Sequence, residues 1–296
     1  MGYREALTPK VSLPMVWIPP GRFWMGSPPE ETDRSDDEGP QHSVQLQGFF
    51  LGQTPVTQAQ WEAVARWKPK PGEPPFARRL DPKPSKFPGP DRPVERVSWE
   101  DAMEFCLRIS HRFKQSYTLP SEAEWEYACR AGTTTPFHFG TTLSTELANY
   151  DGNYVYGDGV KGIYRAQTTD VASFPANAWG LHDMHGTVWE WCADDWHASY
   201  EGAPEDGRAW LDEPSMNDVE DPDPMSQPEG LRRNEIMRRN DLRGSTRRSK
   251  LLRGGSWSGN PRDCRSAYRN SGSPVGRGDH VGFRVCCLPQ DAILYT

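Results

Sequence analysis

The chain contains no apolar stretch of about 18 residues, the length a membrane-crossing helix needs, so no transmembrane helix is expected. Met1 to Lys10 hold no apolar signal-peptide run, and Ala6 stands where myristoylation after Gly2 calls for Ser or Thr. No two cysteines are spaced C-x-x-C, which excludes a zinc ribbon or a thioredoxin-type redox site. Hydrophobic residues are scarce at 35%, and the mean hydropathy of −0.80 approaches that of disordered chains. Long helices are excluded as well, because 27 Gly and 28 Pro interrupt the chain too often for a coiled coil or bundle. The net charge of −7 argues against nucleic-acid binding by the surface as a whole.

What is present is aromatic. The chain holds 12 Trp, 10 Tyr and 11 Phe, which disordered chains lack and which argue for a packed core. Its 296 residues suit one large domain or two ordinary ones. The cysteines, Cys106, Cys129, Cys192, Cys264, Cys286 and Cys287, are expected to be reduced thiols, Cys106 and Cys129 in the core. A cytoplasmic location is expected. Charge is unevenly spread. Glu201 to Asp223 carry nine acids and one base, whereas Leu231 to Arg253 carry nine bases and two acids. Residues 198–250 therefore read as a charged insertion. It is either a solvated arm whose halves attract each other, or one with a basic partner or nucleic-acid patch at Arg232, Arg233, Arg238, Arg239, Arg247 and Arg248.

Local signals place the elements. Met15 to Gly26 read as two short strands around a Pro-Gly turn, and His42 to Leu51 as one further strand. Capping boxes start three helices: Thr57 with Gln60, Ser98 with Asp101, and Ser121 with Glu124, the last helix ending at Gly132 as its cap. Nine prolines in residues 68–93 forbid a regular element there. Beyond Gly132 the chain reads as loops rich in Gly, Tyr, Asn and Trp. Without βαβ alternation, a doubly wound sheet is disfavoured.

Six motifs then follow in order: Met15-Val16-Trp17-Ile18-Pro19-Pro20-Gly21 with Met25-Gly26; Thr54-Pro55-Val56-Thr57; Pro93-Val94 with Val97-Ser98-Trp99; Leu119-Pro120-Ser121-Glu122-Ala123-Glu124-Trp125-Glu126-Tyr127-Ala128; Gly180-Leu181-His182-Asp183-Met184-His185-Gly186-Thr187-Val188-Trp189-Glu190-Trp191; and Leu252-Arg253-Gly254-Gly255-Ser256-Trp257 through Gly282-Phe283-Arg284-Val285. Together they resemble the formylglycine-generating-enzyme (sulfatase-modifying-factor) domain family over about residues 13–287. The resemblance implies an α+β fold, a single C-type-lectin-like domain with little regular secondary structure and long loops, spanning 1–296.

That resemblance also frames the chemistry. The oxidase members use copper held by a cysteine pair just after the Gly-Gly-Ser-aromatic motif, since two thiolates suit a soft Cu(I) ion. Here only Cys264 is present, and the first cysteine of the C-x4-C pair would fall on Gly259. The sulfoxide-synthase branch uses an iron site of three histidines. Among His42, His111, His138, His182, His185, His197 and His280 its H-x-x-x-H-x-E pattern is absent, so these read as polar loop histidines. No catalytic residue, copper or iron is expected. A calcium site is implied at Asp183 and Glu190 by carboxylate and at Gly186 and Val188 by carbonyl, a hard-cation oxygen set. The open alternative is that Glu190 is a buried acid bonded to loop amides. A second family cation site, near Asn149-Tyr150, has Ile163 where its Asp belongs.

Residues 252–287 carry a further pattern. A fixed-looking scaffold comprises Pro261, Arg262, Arg265, Ser266, Ala267, Arg269, Pro274, Arg277 and Val281 to Arg284. Interspersed are Ser258, Gly259, Asn260, Asp263, Tyr268, Asn270, Ser271, Gly272, Ser273, Val275, Gly276, Gly278, Asp279 and His280. From Ser258 to Cys287 there is no Lys, Gln, Glu, Met or Trp. Those types cannot be reached from an Asn codon by changing only its adenines. The segment resembles the variable region of diversity-generating retroelement target proteins, whose adenines are mutagenised. The alternative is an ordinary polar loop. The resemblance implies a non-catalytic protein that binds a protein or other macromolecule through this surface, acts as a monomer and does not engage a membrane. The other readings are a copper oxidase or iron sulfoxide synthase relative, or a regulatory accessory domain.

Overall fold

The computed structural model describes residues 1–212 and 248–289. Eleven strands and three α-helices are assigned among them: β1 (Gly2–Ala6), β2 (Ser12–Ile18), β3 (Gly21–Met25), β4 (His42–Leu46), β5 (Phe49–Gly52), α1 (Gln58–Ala65), α2 (Trp99–Phe113), β6 (Ser116–Thr118), α3 (Glu122–Arg130), β7 (Trp189–Asp195), β8 (Lys250–Arg253), β9 (Asn270–Gly272), β10 (Val281–Gly282) and β11 (Cys286–Leu288).

The helices begin where their caps require. Thr57, Ser98 and Ser121 each accept from the backbone amide three residues on, and Gln60, Asp101 and Glu124 reach back to the cap. α3 ends one residue earlier than Gly132. Ala131 itself takes the left-handed cap conformation at φ 45°, its amide bonded to Tyr127 O, and Gly132 follows at φ 91°. The expected strand His42–Leu51 divides at Gln47-Gly48. A Cβ on Gly48 would lie 2.4 Å from the Trp17 ring, so the chain passes the indole only as glycine and turns there from one sheet to another.

Three sheets result. The largest runs β1-β2-β5-β11-β6, a second runs β10-β7-β8-β9, and β3 pairs with β4. β10 lies parallel to β7, and the other pairings are antiparallel. The large sheet separates two cores. Met15, Phe50 and Cys287 face the cluster that contains α1 and α2, whereas Ile18, Leu51 and Cys286 face the one around α3. Trp61 stacks on Phe105 at 5.7 Å, and Phe283 meets both rings edge-on. A third cluster gathers Phe137, Leu143, Ala148, Tyr150, Tyr156 and Cys264.

The segment after Gly132, expected as loops, thus contains β7 to β11. β7 is buried throughout although it reads Trp-Glu-Trp-Cys-Ala-Asp-Asp. Its acids are satisfied from other segments, Asp195 by Lys250 at 2.8 Å, Glu190 by Arg284 at 2.6 Å and Asp194 by the Glu122 and Trp210 amides, so polarity masks a fully buried strand.

The start of the insertion is integrated with the fold. Tyr200 is buried, and Trp210 stacks on His197 at 3.6 Å. Arg248 of the basic block pairs with Asp212 of the acidic block. Arg232, Arg233, Arg238, Arg239 and Arg247 lie outside the described residues.

Candidate functional site: a C-terminal surface on buried arginines

The C-terminal segment leaves β8 through Gly254 and Gly255, both at positive φ (97° and 76°). A Cβ there would meet the Trp125 ring at 3.0 Å and Cys264 Sγ at 2.5 Å respectively, so both positions need glycine. Trp257 is then buried, donating from Nε1 to Asp279 O at 3.0 Å and thereby tying the two ends of the segment together. Phe87 and Tyr164 flank its ring. A 3₁₀ turn, Pro261–Cys264, follows.

Four arginines anchor the segment. Arg253 pairs with Glu126 and lies 3.4 Å from Glu122. Arg265 holds Glu31 at 2.7 Å and Glu38 at 2.5 Å. Arg269 binds both oxygens of Glu122, at 2.7 and 3.0 Å. Arg284 grips Glu190 at 2.6 and 2.7 Å. All four are buried. Burial alone would raise the Glu122 and Glu38 carboxyls, but the arginines outweigh it and hold both below the usual range. The sequence marks Arg265, Arg269 and Arg284 as scaffold but does not identify their acids. Glu122 and Glu126, one turn apart in α3, are a local signal for the acids of Arg253 and Arg269, whereas nothing local points to Glu31, Glu38 or Glu190.

Against this base the candidate surface residues divide from the scaffold by burial. Ser258, Ser273 and Val275 are exposed. Gly259, Asn260, Asp263, Tyr268, Asn270, Ser271, Gly272, Gly276, Gly278, Asp279 and His280 are half-buried. Every scaffold position is buried except Arg262 and Arg277. The structure brings several candidates together. Asp279 accepts from Lys86 Nζ at 2.5 Å and lies 3.2 Å from His280 Nδ1. The Lys86 hydrogen bond holds the Asp279 carboxyl below its ordinary value.

Some candidates also do structural work. Asn260 caps the 3₁₀ turn by accepting from Arg262 N at 3.1 Å, and Asp263 closes the box at Asn260 N at 3.0 Å. A Cβ on Gly272 would lie 2.9 Å from the Trp191 ring, so Gly272 faces the core. A Cβ on Gly259 would meet nothing closer than 3.4 Å, so that position has room for a side chain.

The thiols are not arranged for nucleophilic chemistry. Cys264 is buried, its thiol pushed well above the ordinary value by burial, and the neighbouring Cys129 is pushed up to about 12 by the same cause. His185 departs from the expected polar loop histidine. It is buried, bonded through Nδ1 to Cys264 O at 2.7 Å, and accepts at Nε2 from His138 N at 3.1 Å. Burial drives its imidazole well below the usual pKa, so it is a neutral strut.

At the implied cation site, Asp183 Oδ2 accepts from Ala172 N at 2.7 Å, whereas its buried Oδ1 has no partner. Burial raises the Asp183 carboxyl to about 6. Glu190 Oε2 accepts from Trp125 Nε1 at 2.8 Å and from Arg284 Nε, and Oε1 accepts from Arg284 Nη2. Its partners are therefore a guanidinium and an indole rather than loop amides, and Oε1 keeps one acceptor position. The Gly186 carbonyl accepts from Val188 N at 2.9 Å. Among the described residues no three of His, Cys, Asp or Glu gather in metal-binding geometry.

Residues 6–287 match the Sulfatase-modifying factor enzyme 1-like domain, and the chain belongs to that family. It is 29% identical over 294 residues to the serine/threonine-protein kinase Pkn1 of Chlamydia trachomatis, covering 95% of this chain but 39% of that protein. The chain thus spans about two fifths of the chlamydial kinases it matches. It is 26% identical to the formylglycine-generating enzyme of Thermomonospora curvata, covering 95% of each. Among solved structures, PvdO from Pseudomonas aeruginosa superposes with a TM-score of 0.69 at 31% identity, covering 97% of this chain and 98% of that one. Treponema denticola variable protein 1 shares the fold with a TM-score of 0.65 at 23% identity, covering 98% and 99%.

Proposed function

We propose that this chain is a non-catalytic ligand-binding protein that presents Ser258 to His280 to a protein or other macromolecule on a lectin-like scaffold, as the variable proteins of diversity-generating retroelements do. The observation that carries this reading is the burial partition. The interspersed small and polar residues reach solvent, while Arg265 and Arg269 between them are sunk in ion pairs. Such a base lets surface side chains change without unfolding the loop. The fold shared with Treponema denticola variable protein 1 agrees with it.

The test is a combined substitution of Ser258, Ser271, Ser273 and Val275, followed by a display library at those positions selected against hen lysozyme. The combined variant should melt within about 2 °C of the parent, because surface changes seldom exceed about 0.5 kcal/mol each way. The library should yield lysozyme binders. A fall of more than about 10 °C, or a library that does not fold, sinks the reading. Formylglycine-generating relatives favour an oxidase as the second reading. Oxygen uptake with a Cys-containing sulfatase peptide and copper would establish it in place of the first.

We further propose that Asp183 and Glu190, with the Gly186 and Val188 carbonyls, hold a calcium ion. The unpartnered Asp183 Oδ1 and the open position on Glu190 Oε1 support this set. Bound there, calcium would order the loop and supply no chemistry. Calcium at about 100 times its Kd after chelation should raise the melting temperature by about 5 °C or more. Asp183→Ala should abolish that rise, and an unchanged melt of the parent chain argues against the site.

A further inference from the structure

The Pro-rich loop, the start of α2 and the C-terminal surface segment enclose a cleft of about 530 Å³, a size common among small-molecule sites. Its walls are cationic although the chain's net charge is −7. Arg79 and Lys83 come from the loop, Arg96 from the turn ahead of α2, and Arg277 from the surface segment. Of the two acids in the lining, Asp101 is paired with arginines and Asp81 is held at one oxygen by a backbone amide. Asp101 Oδ2 accepts from Ser98 N at 3.1 Å and from Arg277 Nη2 at 2.8 Å, and Oδ1 lies 3.4 Å from Arg78 Nη1. Asp81 Oδ1 accepts from Lys83 N at 3.0 Å.

The cations are less well matched. The acid paired with Lys83 Nζ is Glu62, at 3.8 Å. Arg79 and Arg96 make no ion pair and no side-chain hydrogen bond among the described residues, and both are exposed. Arg96 is also held at φ 59°, a left-handed conformation that costs energy in a residue with a Cβ. A hydrogen bond from its amide to Gly278 O at 2.9 Å keeps it there. Backbone strain of this sort gathers at ligand sites, where the surrounding structure maintains it. The buried Trp61 adds an apolar side to the cleft and is fixed by its Nε1 bond to Asp81 O at 2.7 Å.

We propose that this cleft binds a small, multiply charged anion bearing two or more carboxylates or phosphates, held by Arg79, Lys83 and Arg96. A guanidinium fork matches either oxyanion bidentately, and several cations converging on one concavity focus their field there. The inference is independent of the displayed-surface reading, since it assigns a second ligand chosen by charge rather than by diversified side chains.

Calorimetric titration of the full chain at low ionic strength, with citrate and inorganic pyrophosphate as separate probes, tests the assignment. At least one probe should bind, more weakly as salt is raised, and the stronger of the two identifies carboxylate or phosphate as the preferred group. Arg79→Gln and Arg96→Gln should each weaken that binding about tenfold or more. Arg96→Gly removes the same charge while accepting the left-handed backbone, and replaces Arg96→Gln if the latter fails to fold. The exposed Lys161→Gln, which lies outside the cleft lining, should bind as the parent does. No heat with either probe, or affinity unchanged in the Arg79 and Arg96 variants, overturns the proposal.

Discussion

Arg265 shows how single side chains hold the C-terminal surface in place. Its guanidinium is buried, meets Glu31 and Glu38, and donates to Asp33 O at 2.9 Å. Its acids lie as many as 234 positions away in sequence. Ion pairs at this depth contribute little over an apolar substitute, but removing one member strands the other charges in a poorly solvated site. Arg265→Ala should therefore cost about 3–5 kcal/mol in urea denaturation. A loss below about 1 kcal/mol would show that Glu31 and Glu38 are rehydrated and that the anchor is dispensable. Asn260 and Asp263 are a different case at the same scale. The residue-type pattern of the segment marks them as display positions, yet their side chains cap the 3₁₀ turn. A small polar residue in a loop has the same signature whether it faces a ligand or a backbone amide.

Among the elements, β11 has the largest consequence for its length. It is three residues long, but it sits between β5 and β6, pairing Cys286 with both Leu51 and Thr118. Alternation sends Cys286 to the α3 core and Cys287 to the α1/α2 core, so the strand closes both. Ending the chain after Val285 would expose two inner sheet edges and open both cores. That truncation should abolish the cooperative thermal transition in calorimetry, and a cooperative melt would refute the argument. The helices were legible because their caps are local: Ser98 and Asp101 are three residues apart in the sequence and in hydrogen-bonded contact in the fold. The break between β4 and β5 was not legible, because Gly48 is needed only where Trp17 packs across it. β7 was hidden because Asp195 and Glu190 are paired with Lys250 and Arg284 and Asp194 is bonded to distant amides, partners that no periodicity within Trp189–Asp195 can reveal.

For the whole molecule, low hydropathy and stability are reconciled by how the aromatics are used. Trp61, Trp99, Trp125, Trp191 and Trp257 each bury a ring and send the indole N–H to an oxygen of a distant segment: Asp81, Cys192, Glu190, Val97 and Asp279 respectively. Long polar loops are thereby stitched to one another at little cost in unpaired groups. The same burial encloses the thiols. Cys106, Cys129, Cys192, Cys264, Cys286 and Cys287 are all free and buried. Ellman's reagent should accordingly modify none of them rapidly in the native protein and all six in guanidinium. One fast-reacting native thiol would contradict this packing. The sequence by itself determined the features set by neighbours along the chain: the helix starts, the irregular Pro-rich loop, and the division of residues 258–284 into a small polar set and an arginine-rich framework. Tertiary structure alone decided which acids receive those arginines, where β11 inserts, and that Arg79, Arg96 and Arg277 converge on one cleft. The reason is physical. Caps and turns are closed by bonds spanning a few residues, whereas charge pairing and sheet order depend on which distant segments the folded chain brings within a few ångströms.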